Sequence, residues 1–248
     1  MSTSNEKDAL DPKRLPRHVA VIMDGNGRWA KKHGVTRLRG HEAGAKAVRA
    51  IIEACRELGR IETLSLYAFS TENWRRSKPE VSGLFRLLSK YIRLELENLN
   101  AEDIRVQFIG RTKGLPKRVL ADFEESRELT KNNTSMQVNF AINYGARAEI
   151  ADACRAIAEE VEAGRLDTKN IDEERVARHL YDPLSSNLDL LIRTAGEMRL
   201  SNFMLWQASY AEIAVTRALW PDFRKPHLYR ALRQYQARTR KFGGRRGR

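Results

Sequence analysis

Cysteine is scarce in this chain: 248 residues carry two, Cys55 and Cys154. Both sit in helix-like apolar patterns and read as buried thiols, with no disulfide framework or zinc cluster behind them. Long apolar runs are missing as well. No stretch approaches the roughly 18 apolar residues of a membrane span, and Met1 to Asp11 is polar, without the apolar core of a secretory signal. A cytoplasmic location is therefore expected. Several familiar motifs do not occur. There is no Gly-x-x-x-x-Gly-Lys-Ser/Thr loop, which argues against a P-loop nucleotidase. No Gly-x-Ser-x-Gly elbow is found, and Gly25-Asn26-Gly27 lacks the third glycine of a dinucleotide fingerprint. Acid is in deficit, with 32 Asp and Glu against 45 Lys and Arg and a formal net charge of +13. That excess favours an anionic partner, whether nucleic acid, a membrane surface or a phosphorylated substrate, although Lys and Arg also solvate ordinary helix faces. From Arg238 onward the chain holds Arg238, Arg240, Lys241, Arg245, Arg246 and Arg248 and no acid, a tail that does not choose among these partners.

What is present is a regular alternation. Strand-like runs cover His18–Met23, Thr63–Phe69, Ile104–Ile109, Met136–Ile142, Leu188–Arg193 and Glu212–Thr216. Helical patterns lie at Glu42–Leu58, Glu80–Leu99, Pro116–Lys131, Arg147–Ala163, Asp172–His179 and Lys225–Thr239. Strand, helix, strand, helix predicts βαβ units, a mostly parallel sheet and right-handed crossovers. Gly59 and Gly164 stand where helices end, and Pro116 stands where one begins. No repeat or low-complexity linker divides the chain. We expect a loose N-terminus over residues 1–15, one α/β domain over 16–244, and a basic tail over 245–248. The segment Glu80–Leu99 is unusually apolar, with Leu84, Leu88 and eight further apolar side chains. A surface helix needs one stripe, so this one is either packed on two sides or lines an apolar cavity.

Four segments carry polar residues that a core does not require. In the first, the run Val19 to Met23 stops at Asp24 and is followed by Gly25, Asn26, Gly27, Arg28 and Trp29. A carboxylate, a guanidinium and glycines that let the backbone approach a ligand suit an anion with a divalent metal. Arg37, Arg39 and His41 precede the helix expected at Glu42, an odd place for cations unless they capture phosphate; His41 alone reads better as a helix-entry hydrogen bond. The second segment is Tyr67 to Arg76, with Ser70, Thr71, Glu72, Asn73, Trp74 and Arg76 after a strand. It reads either as a phosphate-gripping loop or as a capping turn. The third holds Arg193, Arg199, Leu200 and Ser201 across Gly196. Two arginine forks and a hydroxyl suit a diphosphate; a surface loop salt-bridged to Glu197 is the plain alternative. The fourth is Glu212, a carboxylate opening a buried strand, which costs free energy unless paired or metal-bound. With Asp24 at a neighbouring strand end, the two could hold Mg²⁺. Convergence of several such loops on one sheet edge is stronger evidence than any one of them.

The stretches His18–Trp29 and Tyr67–Trp74, and Arg193–Phe203 with Trp206 and Glu212, resemble the cis-prenyltransferases. The resemblance runs from about Leu15 to Gly244. It implies a single-domain α/β fold with a six-stranded, mainly parallel sheet ringed by helices, an apolar tunnel for the product chain, and a homodimer. It implies Mg²⁺-dependent condensation of isopentenyl diphosphate onto an allylic diphosphate such as farnesyl diphosphate, each new double bond being cis. By motif, Asp24 matches the essential metal-binding aspartate. Gly25, Asn26, Gly27, Arg28, Trp29, Arg37 and His41 match the allylic diphosphate pocket. Phe69, Ser70, Thr71, Glu72, Asn73, Trp74 and Arg76 match the loop between the substrates, Asn73 being grouped with Asp24 as catalytic. Arg193, Arg199, Leu200 and Ser201 match the isopentenyl diphosphate site. Glu212 matches a second carboxylate near the metal that in the family reaches across the dimer. The base that removes the proton stays open among Asp24, Asn26 acting through water, and the diphosphate. No Asp-Asp-x-x-Asp occurs, which separates this chain from the trans-prenyltransferases.

On that resemblance, Ala68, Phe69, Leu84 and Leu88 become tunnel-wall candidates, and the implied product is a long-chain polyprenyl diphosphate of the undecaprenyl type, with a short- or medium-chain product as the alternative, since members of each length share these motifs. One departure stands out: Lys241-Phe242-Gly243-Gly244 replaces the usual arginine with lysine, which keeps charge and loses the bidentate fork. Arg245, Arg246 and Arg248 suit an anionic membrane surface. A non-catalytic partner subunit is disfavoured because Asp24, Arg28, Arg193, Arg199 and Glu212 are all kept. A nucleic-acid-binding role has charge in its favour and no accompanying motif; no nucleic acid is expected.

Overall fold

The structure, a computed structural model, describes Lys7, residues 9–185 and residues 187–238. Six strands form one sheet: β1 (His18–Ile22), β2 (Thr63–Ser70), β3 (Ile104–Ile109), β4 (Met136–Tyr144), β5 (Leu190–Arg193) and β6 (Glu212–Val215). Their order is β3-β4-β2-β1-β5-β6, and every pairing is parallel. The helices are α1 (Asn26–Lys32), α2 (Arg37–Glu57), α3 (Lys78–Ala101), α4 (Lys117–Thr130), α5 (Ala146–Glu162), α6 (Glu173–Arg178) and α7 (Lys225–Ala237). All six expected strands and all six expected helices are present, with ends shifted by a few residues. Pro116 caps α4 from just outside its first turn.

Strand alternation divides the core. Val19 and Val21 of β1 join Leu64 and Leu66 of β2 in a cluster covered by α2 and α7, including Ile51 and Leu228. Ala20 and Ile22 point the other way, toward Tyr144, Phe203 and Met204. The two patterns interleave because successive strand residues face opposite sides. A parallel sheet covered on both faces gives the near-continuous apolar runs seen in the sequence.

A bulge breaks that alternation where it matters. The β2–β4 register pairs Tyr67 with Ala141, Phe69 with Ile142 and Ser70 with Tyr144, so Ala68 and Asn143 are left unpaired. Tyr67 stacks on Phe203 on one face, while Phe69 packs with Val81 and Phe85 on the other. Residues two apart would ordinarily share a face, so the bulge turns Ala68 outward and redirects Phe69.

Three expectations need correction. Residues 26–32 form a helix where a loop was expected, so Arg28 lies within α1. Residues 37–41 form the first turns of α2 rather than a lead-in to it. The Thr36 side chain accepts from the Arg39 amide and starts α2 early. Cys154 is exposed while Cys55 is buried, because α5 turns Ala146, Glu149, Ala153 and Ile157 inward and Cys154 sits one step off that stripe. Near the N-terminus, Leu10 and Leu15 are buried against the main core, and residues 11–14 between them are exposed. The basic tail 245–248 and Lys241–Gly244 lie outside the described residues. Among the described residues no helix is long and apolar enough to cross a membrane.

Candidate active site

The C-terminal ends of β1, β2 and β5 open into a cavity of about 680 Å³. Open α/β sheets bind ligands at this edge, where connections leave neighbouring strands in opposite directions. The mouth is polar: Asp24, Arg28, Lys31, Arg37, Arg76 and Arg193 line it, together with Asn26, His41, Ser70 and Asn73. Beyond it the cavity runs between α2, α3 and the sheet past Val48, Leu84, Leu88, Ile92 and Leu96. The broad apolar surface of α3 is therefore explained both ways. Val81 packs in the cluster with α4 and the sheet, while Leu84, Phe85 and Leu88 both join that cluster and line the cavity. Ala68, freed by the bulge, and Phe69 stand between the two halves.

At the mouth, Asp24 is held from several directions. Its carboxylate lies 3.1 Å from Arg193 Nη2 and 3.3 Å from Arg28 Nη2. Its carbonyl accepts from Thr194 Oγ1 at 2.6 Å and from the Trp220 amide at 3.0 Å. The chain turns after it at Gly25, whose φ is +109° and where a Cβ would meet Leu219 and Ala195 at 3.0 and 3.1 Å. That backbone favours glycine. Arg28 also donates to the Ala195 carbonyl at 2.8 Å and lies 3.5 Å from Glu197. Arg193 is buried, with Nη1 donating to Ser201 Oγ at 2.7 Å and to the Arg199 carbonyl. Its Nε has no partner in the protein, and neither does the buried Oδ1 of Asn26. A buried guanidinium beside an open cavity is of the right chemistry for an anion.

Across the mouth, Glu80 lies 3.4 Å from Arg37 and 3.1 Å from Arg76. Burial, with Arg76 beside it, lowers the pKa of His41 to about 4, so the ring is neutral near pH 7. It lines the cavity rather than only entering a helix. The loop after β2 is indeed a capping turn, with Asn73 Oδ1 accepting from the Ser70 amide at 3.1 Å. The turn sets Ser70 and Asn73 against the mouth.

Other expected residues stand back from the cavity. Trp74 donates to Asn143 Oδ1 at 2.7 Å and packs on Phe69 and Phe85. Trp29 stacks on His33 and donates to Asp222. Arg199 is paired with Glu197 at 2.7 Å, and Leu200 packs against the Phe203 cluster. Thr71 and Glu72 are not among the residues that line the cavity. Glu212 is displaced altogether. It pairs in register with Leu190, at the opposite edge of the sheet from Arg193 and Asp24, and is ion-paired with Arg238. In a parallel sheet the start of one strand cannot lie beside the end of its neighbours, so Glu212 and Asp24 of one chain do not share an ion.

Sequence reading missed several supports. Glu80 is the shared counter-charge of two arginines, and its (i, i+4) spacing from Arg76 was the available signal. Asn143 and Asn202 hold positive φ of 50° and 61°, which no local pattern announces. Arg49 lines the far end of the cavity beside Glu95 at 3.5 Å and is bound to Glu53 and Glu102. Among the described residues no group of three or more His, Cys, Asp or Glu could hold a metal. At the mouth, Asp24 is the carboxylate that lines the cavity, Glu80 standing behind Arg37 and Arg76. One hard oxygen donor suits Mg²⁺, which commonly takes one or two carboxylates and completes its shell with water and phosphate.

Residues 22–243 match the family model described as putative undecaprenyl diphosphate synthase. An isoprenyl transferase of Shouchella clausii is 47% identical over 96% of this chain and 93% of its own length. A Thermobifida fusca enzyme named trans,polycis-polyprenyl diphosphate synthase, (2Z,6E)-farnesyl diphosphate specific, is 49% identical over 93% of this chain and 81% of its own. The crystal structure of lavandulyl diphosphate synthase from Lavandula x intermedia with dimethylallyl diphosphate matches with a TM-score of 0.91. It is 38% identical and covers 94% of this chain and 100% of that one. A probable undecaprenyl diphosphate synthase of Campylobacter jejuni matches at 0.77, with 35% identity over 92% and 99%.

Proposed function

The chain belongs to the cis-prenyltransferase family, and from that premise we propose that it condenses isopentenyl diphosphate with farnesyl diphosphate to build a long-chain cis-polyprenyl diphosphate of the undecaprenyl type. The observation that carries this reading is a single cavity with a cationic mouth and an apolar interior. A substrate with a diphosphate head and a growing hydrocarbon tail needs both.

Arg28, Arg37 and Arg76, with His41, Asn26, Gly25 and Gly27, take the allylic diphosphate. Arg193, with Ser201 and Arg199, takes isopentenyl diphosphate. Asp24 would hold Mg²⁺ together with phosphate oxygens, and the bound ion supplies Lewis-acid charge that stabilises the departing diphosphate. In the free protein Asp24 is the counter-charge of Arg193 and Arg28. A diphosphate offers both arginines a replacement anion and releases the Asp24 oxygens for the metal. Arginine forks preset around the leaving group stabilise charge as it develops. Ser70 and Asn73, locked in their turn, place the two substrates against each other. The dry wall of Phe69, Leu84 and Leu88 shields the electron-poor allylic carbon from water and then receives the chain. Its far end is lined by the charged pair Arg49 and Glu95.

Glu212 reaches a metal only from a second copy of the chain, so the homodimer is part of the proposal. The edge strand β6, with Ile213 40% and Tyr210 68% exposed, is a surface suited to such pairing. The product lipid gives the protein reason to work at the cytoplasmic membrane face, as a source of the lipid carrier for cell-wall synthesis. Incubation with farnesyl diphosphate, labelled isopentenyl diphosphate and Mg²⁺, followed by lipid chromatography, tests the reading. Labelled polyprenyl product near C55 is expected; no labelled lipid overturns it.

A further inference from the structure

Two loops from distant parts of the sequence meet over one glycine. Asn202, in the left-handed conformation, accepts at its carbonyl from the Ala146 amide at 2.8 Å and at Oδ1 from the Arg147 amide at 2.9 Å. Both amides belong to the first turn of α5, whose free donors need acceptors. The Asn202 Nδ2 then donates to Glu72 Oε1 at 3.0 Å, across to the capping turn after β2. A Cβ on Gly145 would lie 2.7 Å from Asn202 Nδ2 and 2.7 Å from Thr71 Oγ1, so the two loops close only because that side chain is missing. The neighbour of Asn202, Ser201, also has positive φ and accepts the hydrogen bond from Arg193. Glu72 in turn sits between Ser70 and Asn73, the residues that face the mouth.

We propose that Asn202 is a positioning residue, a latch that uses Glu72 and the α5 amides to set the distance between the Arg193–Ser201 anion pocket and the Ser70–Asn73 turn. This rests on the proposed function in so far as the two pockets hold the two diphosphates. Asn202 touches neither of them. It fixes the spacing at which the reacting carbons meet, and a small misplacement there is costly to rate. Asparagine serves because it tolerates left-handed backbone and offers an amide donor and a carbonyl acceptor at once. Burial pushes the Glu72 carboxyl up, but hydrogen bonds from Asn202, Ser70 and Thr71 bring it below its ordinary value, keeping it an acceptor.

The test is a charge-and-donor swap. Asn202→Asp keeps the left-handed preference and the acceptor for the Arg147 amide but turns a carboxylate toward Glu72. It is expected to lower kcat/KM about tenfold, the scale of one lost charge-assisted bond. Adding Glu72→Gln restores a donor–acceptor pair with its direction reversed and the same net charge as the wild type. The double variant is expected within about twofold of Glu72→Gln alone, a non-additivity that reports a direct coupling. Gly145→Ala wedges the loops from the other side and is expected to act like Asn202→Asp. The same variants are titrated with inorganic pyrophosphate by calorimetry, with thermal midpoints recorded. If the wild type makes no polyprenyl product, the functional reading falls, and pyrophosphate affinity still reads the latch. Additive effects in every assay in which the wild type is active overturn the latch.

Discussion

The two ends of the cavity solve opposite problems with the same residue types. At the mouth, charged side chains are paired loosely enough to change partners. Asp24 lies 3.1 and 3.3 Å from two arginines, and Glu80 lies 3.1 and 3.4 Å from two more. Buried polar atoms without a hydrogen-bond partner occur at both ends, Arg193 Nε and Asn26 Oδ1 here and Arg49 Nη1 and Glu102 Oε2 at the other, so it is the balance of charge that separates them. At the far end Arg49 is bound by Glu53 at 2.7 Å and by Glu102, with Glu95 beside it at 3.5 Å. No surplus of positive charge remains there to attract an anion. The same arginine–carboxylate chemistry is thus a binding site where its cations are in excess and a structural cluster where its carboxylates match or exceed them.

The sharpest way to break that contrast is Asp24→Ala. At the mouth it is expected to cost about 10³-fold or more in turnover, on the scale of losing one preorganised electrostatic group, with the thermal midpoint nearly unchanged. A protein that instead fails to fold would make Asp24 a structural ion-pair residue like those around Arg49.

Acid comes next. His18, the first residue of β1, is buried, with Nδ1 facing the Asn187 carbonyl and Nε2 facing Ser65, and burial pushes its pKa down to about 4. His41 at the mouth is also near 4. The unfolded chain takes up these protons near its ordinary value of 6.5 while the folded chain refuses them until about 4. Stability therefore falls as pH drops through that window and is fully kept above it, by about 3 kcal/mol for the His18 ring alone. Denaturant titrations at several pH values check this. A bound diphosphate favours a charged imidazole, so pyrophosphate is expected to relieve the part due to His41 and leave that of His18 untouched.

At the far end, Arg49→Leu leaves three glutamates without their shared partner. It is expected to destabilise by about 2 kcal/mol in urea unfolding. An unchanged midpoint would show the cluster to be replaceable by apolar packing. The smallest change in free energy is expected from Ala68→Leu, which adds bulk between the two ends. Its effect appears in the lipid chromatogram, as shorter chains than the wild type makes at similar turnover of the first unit. Unchanged product length would move the growing chain away from Ala68.

Much of the architecture was legible because strands and helices announce themselves by period, and parallel β-strands by continuous apolar runs. The site was half legible. Asp24, Arg28, Arg76 and Arg193 follow strand ends, and in a parallel sheet such loops necessarily gather on one edge. Glu212 was misplaced by the same reasoning, because it starts its strand rather than ending it. Asn143 and Asn202 were invisible, since their backbone conformations are set by partners far away in sequence.

The sequence by itself determined which chemistry is present: cations after strands, a carboxylate at a glycine turn, and one helix too apolar to face water. Those are local facts of composition and period. Tertiary structure alone decided how they combine. The bulge that frees Ala68, the gap between α2 and α3, the pairing of Asp24 with Arg193, and the closure of two loops over Gly145 all depend on non-local contacts. These are fixed by register and packing, which no window of the sequence contains.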